Sequence, residues 1–473
     1  MAPDSATNSL GPAAHASIDA LLAPLGTQSW RERTPLRCEG DEVPFRSPHR
    51  LTLAAVAAVG AASLGISDRW LEATGERQEI AIDALQATCG LCPVWYQRQS
   101  GHPVPLTIDT GREFKLGFYP TRDQRWFLIA GAYAHLRDGV LELLDCPNTV
   151  AAIGKATARF DAEDLEQRFF ERGLTAAIAR TAAEWRAHPQ GAMLDSQPLV
   201  TIEKLGDGPP QPPRARLRPL DDLRVIDLGH VIAGPVLART LAEHGADVLR
   251  ISSPTHGDSL LQILDTGLGK RNAYLDLQQA SDADRLKTLV DGADVVVESW
   301  RPESMARLGL GPKQLARSHR GLIYASVSMY GSEGPWADRK GFDPVAQAVS
   351  GVAVAEAVDG KPRLVPTHLL NDYLTAYLGA AGVLAALSRR AIEGGSYHVR
   401  VSLAGTAMWV QSLGRPTAEP RDIDAKKLAP RMIQRDSVFG LLEQLAPVAS
   451  LSRTPAYYTL APSPLGSAPA AWR

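Results

Sequence analysis

The sequence predicts an α/β protein: a large domain on a parallel, doubly wound sheet, preceded in the chain by a smaller α+β domain. Three observations predict it. Beyond Leu223, short β-branched runs alternate with amphipathic stretches, the pattern of strands joined by crossover helices. Just before them, LGDGPPQPPRARLRPL (Leu205 to Leu220) places five prolines in sixteen residues, which neither a helix nor a central strand accommodates. And 473 residues exceed what one ordinary core encloses, so two or more domains are expected.

Each element follows in order. LRVIDLG reads as a strand, PVLARTLAEHG as a helix ending at Gly245, and ADVLRIS as a second strand. SDADRLKTLVDG is helical, ADVVVES is a third strand, PESMARLGLGPKQLARSH is helical, and GLIYASVSM is a fourth strand. A ligand on such a sheet belongs at the carboxyl ends of the strands, where GHVIAGP, SSPTHGD, SWRPES and SMYGSEG lie. Before the linker, FKLGFYPTRDQRWFLIAG, VLELLDC and DAEDLEQRFFERGL mix strand and helix patterns, which gives the α+β unit.

Composition narrows the function classes. The chain is 45% hydrophobic and 22% charged with a net charge of −2, so electrostatics give no case for a nucleic-acid or membrane-surface partner. Of Cys38, Cys89, Cys92 and Cys146, the pair in CGLC has C-x-x-C spacing. A zinc site needs a second ligand pair, and a redox motif needs a preceding strand and a following helix where Pro93 stands. Reduced cytosolic thiols are expected, with no metal. The first residues carry no basic start before an apolar core, and AAWR at the other end is no peroxisomal address. A cytoplasmic location is therefore expected. LTLAAVAAVGAASLGI (Leu51 to Ile66) is shorter than a bilayer span and reads as a buried helix.

An internal echo relates the two parts. GERQEIAIDALQA from Gly75 and GGSYHVRVSLAGTA from Gly394 align so that Ile80 matches Val399, Ile82 matches Val401 and Asp83 matches Ser402. An Ala/Gly/Leu-rich helix precedes each copy. By the ungapped count, Leu53 in the first copy stands where Asp372 stands in the second.

Asp372 is the lone acid at the head of LNDYLTAYLGAAGVLAAL. From local pattern alone, Asn371 or Asp372 is a helix N-cap, a position both residue types favour. The loop Gly229 to Pro235 offers small residues and free N–H groups at a helix start, suited to an anion. It lacks the Lys-Ser/Thr of a P-loop and the G-x-G-x-x-G fingerprint, and the second strand ends in Arg250 without an acid for an NAD ribose. Arg250, Lys270, Arg271, Trp300 and Arg301 gather at the same expected sheet edge, as a ligand with phosphates and a stacking base would require.

In order, VIDLGHVIAGPVLARTLAEHGADVLRI, GKRNAYLDL, ADVVVESWRPESMARLGLG, LIYASVSMYGSEGP and GFDPVAQAVSG resemble the family III CoA-transferases. These are of the formyl-CoA transferase and crotonobetainyl-CoA:carnitine CoA-transferase type, which also includes α-methylacyl-CoA racemase. FYPTRDQRWFLIAG, RTAAEWRAHPQGAML and PLVTIEKLG look like the later, small-domain half of the same family, here placed first, as in a fused or rearranged member. The resemblance implies a Rossmann-like large domain with a small α+β domain, and an interlocked homodimer. The implied boundaries are a partial first unit with N-terminal helices (1–100), the small domain (101–204), the Pro-rich linker (205–220), the Rossmann-like CoA-binding domain with the catalytic aspartate (221–413) and a C-terminal tail (414–473).

The resemblance also assigns residues. Asp372 takes the place of the family's nucleophile, and CoA contacts transfer to His230, Val231, Ile232, Ala233, Arg250, Lys270, Arg271, Trp300, Arg301, Arg307 and Tyr330. Acyl-CoA and a carboxylic acid acceptor are the implied partners, with no tightly bound cofactor. The chemistry calls for one acid: a carboxylate attacks the thioester, CoA returns onto the enzyme acyl group, and an acceptor acid reverses the sequence.

This chain departs from family patterns at several positions. Ile232 replaces a glutamine and Ser328 a lysine of formyl-CoA transferase-like members, and their glycine-rich substrate loop has no counterpart. Where the racemases read GHD, this chain reads Gly341-Phe342-Asp343, which disfavours a two-base racemase. Racemisation or isomerisation of an acyl-CoA, and a CoA-binding subunit of weak activity, are the alternatives to transfer.

Overall fold

The structure is a computed structural model that describes residues 10–43, 45–104, 116–131, 133–214, 216–416 and 425–473. Parts of the expected first unit, small domain, linker and tail (1–9, 44, 105–115, 132, 215 and 417–424) lie outside the described residues.

The chain opens with α1 (Leu10–Leu25), β1 (Leu36–Glu39), α2 (Leu51–Thr74), β2 (Ile80–Asp83) and α3 (Ala84–Cys89). The helix expected to stop near Ile66 runs on to Thr74 and is long and apolar enough to cross a bilayer, yet its most apolar window is wholly buried in the fold. It continues because the charges past Ile66 find partners inside: Asp68 meets Arg33 at 2.7 Å, and Arg69 meets Asp222 at 2.8 Å. A small antiparallel sheet follows, made of β3 (Gly117–Pro120), β4 (Trp126–Ile129) and β5 (Ala176–Ile178). Phe127 and Ile129 pack there on Val140 of α4 (Ala134–Leu144) and on Phe169.

The large sheet takes its strands from both sides of the Pro-rich crossing: β6 (Val200–Gly206), β7 (Arg224–Leu228), β8 (Asp247–Ser252), β9 (Lys270–Tyr274), β10 (Val295–Glu298), β11 (Ile323–Ser328) and β12 (Ser396–Ser402). Their order is β9-β8-β7-β10-β11-β12-β6, parallel except for β6. Helices cover both faces, which is why β10 is the uninterrupted apolar run Val295-Val296-Val297 with every residue buried. Strand order reverses between β7 and β10, so the loops after those two strands border an open crevice. The helices that position the site are α5 (Ala233–Glu243), α6 (Leu260–Thr266), α7 (Asp343–Ser350), α8 (Asn371–Glu393) and α9 (Leu403–Ser412).

Three local expectations are corrected. Lys270 and Arg271 open β9 instead of preceding it, which puts them at the strand's start and away from the carboxyl edge. The stretch read as one helix after β10 is two short ones, Ser304–Arg307 and Pro312–Ser318, parted at Gly309 where φ is 74°. The segment between β8 and β9 contains α6, whose Ser259 and Gln262 close a capping box that the loop motif hid.

The chain ends with β13 (Met432–Ser437), β14 (Gly440–Leu445) and β15 (Ala449–Leu451), then a strap along edge strand β9. Ala468 N–H donates to Asn272 O at 2.8 Å and Trp472 Nε1 to Leu289 O at 2.8 Å, so the strap shields an otherwise open edge.

The internal echo has a counterpart in the fold. In the second copy β11 lies parallel and β6 antiparallel to β12; in the first, β1 lies parallel and β15 antiparallel to β2. The matched residues Asp83 and Ser402 both cap the following helix, accepting from Gln86 N at 2.8 Å and from Gly405 N at 3.2 Å. The long helices α2 and α8 pack together through small residues. A Cβ at Gly65 would lie 2.9 Å from Leu384 Cβ, so the approach needs glycine.

Candidate active site

The loop after β7 is shaped from behind by buried charge. Asp227 Oδ1 accepts Gly229 N–H at 2.8 Å, and Lys270 Nζ bridges Asp227 Oδ2 (2.7 Å) and Pro235 O (2.5 Å). Burial lowers the Lys270 ammonium to about 8, against the pull of Asp227. A side chain at Gly229 would put its Cβ 2.5 Å from the Pro235 ring, so the turn admits only glycine. Val231 sits at φ 65°, a costly conformation for a β-branched residue. Asp258 holds it there: Oδ1 accepts Val231 N–H at 3.1 Å and lies 3.1 Å from His230 Nε2, while Arg250 pairs with Oδ2. Ser299 Oγ accepts His230 N–H at 2.8 Å. Burial, above all, lowers His230, with Asp258 opposing, so the ring is neutral near pH 7.

His230 is one of a row of rings along the crevice. Its centroid is 5.7 Å from Trp300 and 5.5 Å from Tyr133, which is 5.9 Å from Phe342. Trp300 is pinned by Nε1 donating to Leu228 O at 2.8 Å. The row flanks a cavity of about 780 Å³ whose described lining includes His135, His256, Arg301, Arg339 and Lys340 and no carboxylate. Lys340 is lowered by burial and by the neighbouring Arg301 cation, a pair that an anion would relieve.

Asp372 is 6% exposed and is not part of this cavity's lining. Tyr133 feels its charge. Neither Asn371 nor Asp372 caps α8: the helix begins at Asn371, Leu370 is the cap residue, and no cap side chain bonds the backbone. The capping carboxylate comes from across the site. Asp343 Oδ2 accepts the N–H groups of Leu370 (2.9 Å), Asn371 (2.5 Å) and Asp372 (2.9 Å). Gln347 Nε2 donates to Asp343 Oδ1 at 2.5 Å and to His368 O at 3.0 Å. Burial raises both carboxyls. Asp343 is pulled back by Gln347 and the three N–H donors, whereas Asp372 is raised further by the charge of Asp343. The first copy closes the site from another side: the buried Cys92 thiol is pushed up by burial and then by Asp343, and Trp95 lies 5.6 Å from the His368 ring. Cys89 and Cys92 are both buried free thiols.

Of the residues assigned from sequence, His230, Trp300 and Arg301 meet on the cavity wall. Val231, Ile232 and Ala233 form the turn beneath them. Arg250 is 1% exposed and bound to Asp258 and Thr266, so it braces the loop. Lys270 acts likewise through Asp227, while Arg271 binds Asp247 and the terminal strap at Ala471 O. Arg307 is exposed beside Ser304, and Tyr330 is buried against Trp336, 5.3 Å away. Sequence reasoning missed Tyr133, Asp258 and Lys340. The one available signal was Arg339-Lys340 directly before the Gly341-Phe342-Asp343 motif.

Comparison with known proteins finds CoA-transferases among the sequences similar to this chain. The model of CoA-transferase family III matches residues 220–427. The chain is 40% identical over 212 residues to an acetyl-coenzyme A transferase of Hypoxylon pulicicidum, covering 43% of this chain and 36% of that protein. It is 33% identical over 210 residues to a probable fatty acyl-CoA transferase of Mycobacterium tuberculosis (41% and 53% covered). To the succinyl-CoA–L-malate CoA-transferase beta subunit of Chloroflexus aurantiacus it is 37% identical over 198 residues (39% and 49%). The chain thus spans between about a third and a half of these curated relatives. A crystal structure of a hypothetical protein from M. tuberculosis shares 34% identity at a TM-score of 0.39, covering 42% of this chain and 58% of that one. Over residues 220–427, the chain is thus similar to the CoA-transferases of family III.

Proposed function

We propose that the chain transfers CoA from an acyl-CoA thioester to a carboxylic acid through a covalent intermediate on Asp372. The observation that carries this reading is a buried carboxylate at the head of α8 whose charge reaches Tyr133, on the wall of a cation-lined cavity.

The nucleotide end of CoA sits along Trp300 and His230, with its phosphates facing Arg301 and Lys340. Asp372 attacks the thioester carbonyl. The C–S bond breaks, giving an acyl-aspartyl anhydride and CoA thiolate. The thiolate then attacks the aspartyl carbonyl, releases the donor acid and leaves CoA as an aspartyl thioester. An acceptor carboxylate runs these steps backwards, so atoms and charge balance without another reactant. Burial serves the anhydride, which water would hydrolyse. It also disfavours the ionised nucleophile, so Asp372 reacts from the minor, deprotonated form unless the ligand and the cavity cations favour it.

Phe342 favours transfer over racemisation, because it stands where the racemases, by the resemblance of Gly341-Phe342-Asp343 to GHD, carry a histidine base. The test is an exchange screen: isotope-labelled carboxylic acids are incubated with acyl-CoAs, with Asp372→Ala as control. Label entering the thioester pool only with the wild-type chain is expected. Deuterium from solvent entering the α-carbon without any acceptor acid would favour the racemase reading.

A further inference from the structure

We propose that the Tyr133 phenol is the hydrogen-bond donor to the acyl oxygen as Asp372 attacks the thioester. The inference rests on the transferase reading above and adds a catalytic residue from the small α+β unit.

Three observations meet at this side chain. Its hydroxyl is buried and has no hydrogen-bond partner among the described residues. The Gln262 side chain lies near enough to pull the phenol down as a hydrogen-bonding neighbour, but no bond of full hydrogen-bond geometry joins them, and Gln262 Oε1 already accepts from Ser259 N and Oγ. Native proteins rarely leave a buried donor unused, so one at the end of a cavity points to a group supplied by a ligand. The ring is fixed between His230 and Phe342 and lines that cavity, so the donor is aimed before substrate arrives. The hydroxyl also lies within electrostatic reach of Asp372, and burial keeps it protonated.

The N–H groups of Leu370, Asn371 and Asp372 at the head of α8 are taken by Asp343 Oδ2. When Asp372 adds to the carbonyl, negative charge collects on the acyl oxygen. A phenol O–H directed at it stabilises that charge and relinquishes no proton. The oxygen reverts to a carbonyl as the C–S bond breaks and CoA thiolate leaves.

The experiment uses the full chain with acetyl-, propionyl-, succinyl- and octanoyl-CoA, each with its own labelled acid, comparing wild type, Tyr133→Phe and a 3-fluorotyrosine variant at the same position. Loss of one preorganised donor lowers kcat by about 100-fold. Tyr133→Phe keeps the ring, so CoA binding by calorimetry is expected to stay unchanged. Fluorination strengthens the donor and is expected to raise kcat. A Phe variant with wild-type kcat, one whose loss lies entirely in CoA affinity, or a fluorinated variant with no rise overturns the tyrosine role while leaving transfer through Asp372 standing. Wild type that exchanges none of the four acids overturns the transferase reading and this proposal with it.

Discussion

Asp343 Oδ2 accepts the backbone N–H of Asp372 at 2.9 Å, and the same oxygen takes the N–H groups of Leu370 and Asn371. One carboxylate therefore caps the helix that carries Asp372, the proposed nucleophile, and raises its carboxyl beyond what burial alone does. Asp343→Asn keeps an oxygen for the three donors, loses the bond from Gln347 and removes the negative charge. The Asp372 carboxyl then titrates lower, so the acid limb of the kcat–pH profile moves to lower pH. Asp343→Ala leaves buried donors unpaired and costs about 3 kcal/mol or more in denaturant unfolding.

Asp372 itself opposes stability. Its folded carboxyl is raised above the unfolded value, so the folded state binds more protons, and stability falls as pH rises above the ordinary carboxylate range. Asp372→Asn removes that loss. Its melting temperature should exceed wild type at pH 7, with the difference shrinking as pH falls toward about 4.

Two buried histidines give the opposite slope. Burial pushes His244 and His398 down to about 3, so both stay neutral in the fold while the unfolded chain protonates them near 6.5. Their contribution is present above pH 6.5 and is lost as pH falls toward 3, on the order of a few kcal/mol each. His244→Gln should flatten the acid side of a urea-midpoint series measured from pH 7 to pH 4.

Arg301 and Lys340 test the anion site. A charge-assisted contact to phosphate is worth about 1.5–3 kcal/mol, so Lys340→Ala should weaken CoA binding by about 10- to 100-fold. The salt dependence of binding should fall with it. Calorimetric titration at two ionic strengths reads both.

The internal echo makes a sharper demand. Leu53, equivalent to Asp372 by the repeat, is 2% exposed, and among the described residues no carboxylate caps the start of its helix as Asp343 caps α8. Leu53→Asp is expected to destabilise the chain by about 3 kcal/mol or more. It should restore no exchange in an Asp372→Ala background.

The legible parts of the fold are those where one local rule decides. The buried strands β7, β8, β10 and β11 announce themselves as β-branched runs, and the repeat showed in Ile80/Val399 and Ile82/Val401. Asp372 stood out as an acid on an apolar helix. What escaped depends on distant pairing: Arg250 and Lys270 look like ligand cations until Asp258 and Asp227 are seen to neutralise them. Tyr133 reached the site only because the small unit folds back across the large sheet's edge, which no local pattern encodes.

The central claim is that Asp372 becomes covalently loaded. Wild-type chain mixed with an accepted acyl-CoA, quenched with hydroxylamine and mapped by peptide mass spectrometry, should carry a hydroxamate on Asp372 and nowhere else. An unmodified Asp372 peptide under conditions where exchange proceeds would contradict the account.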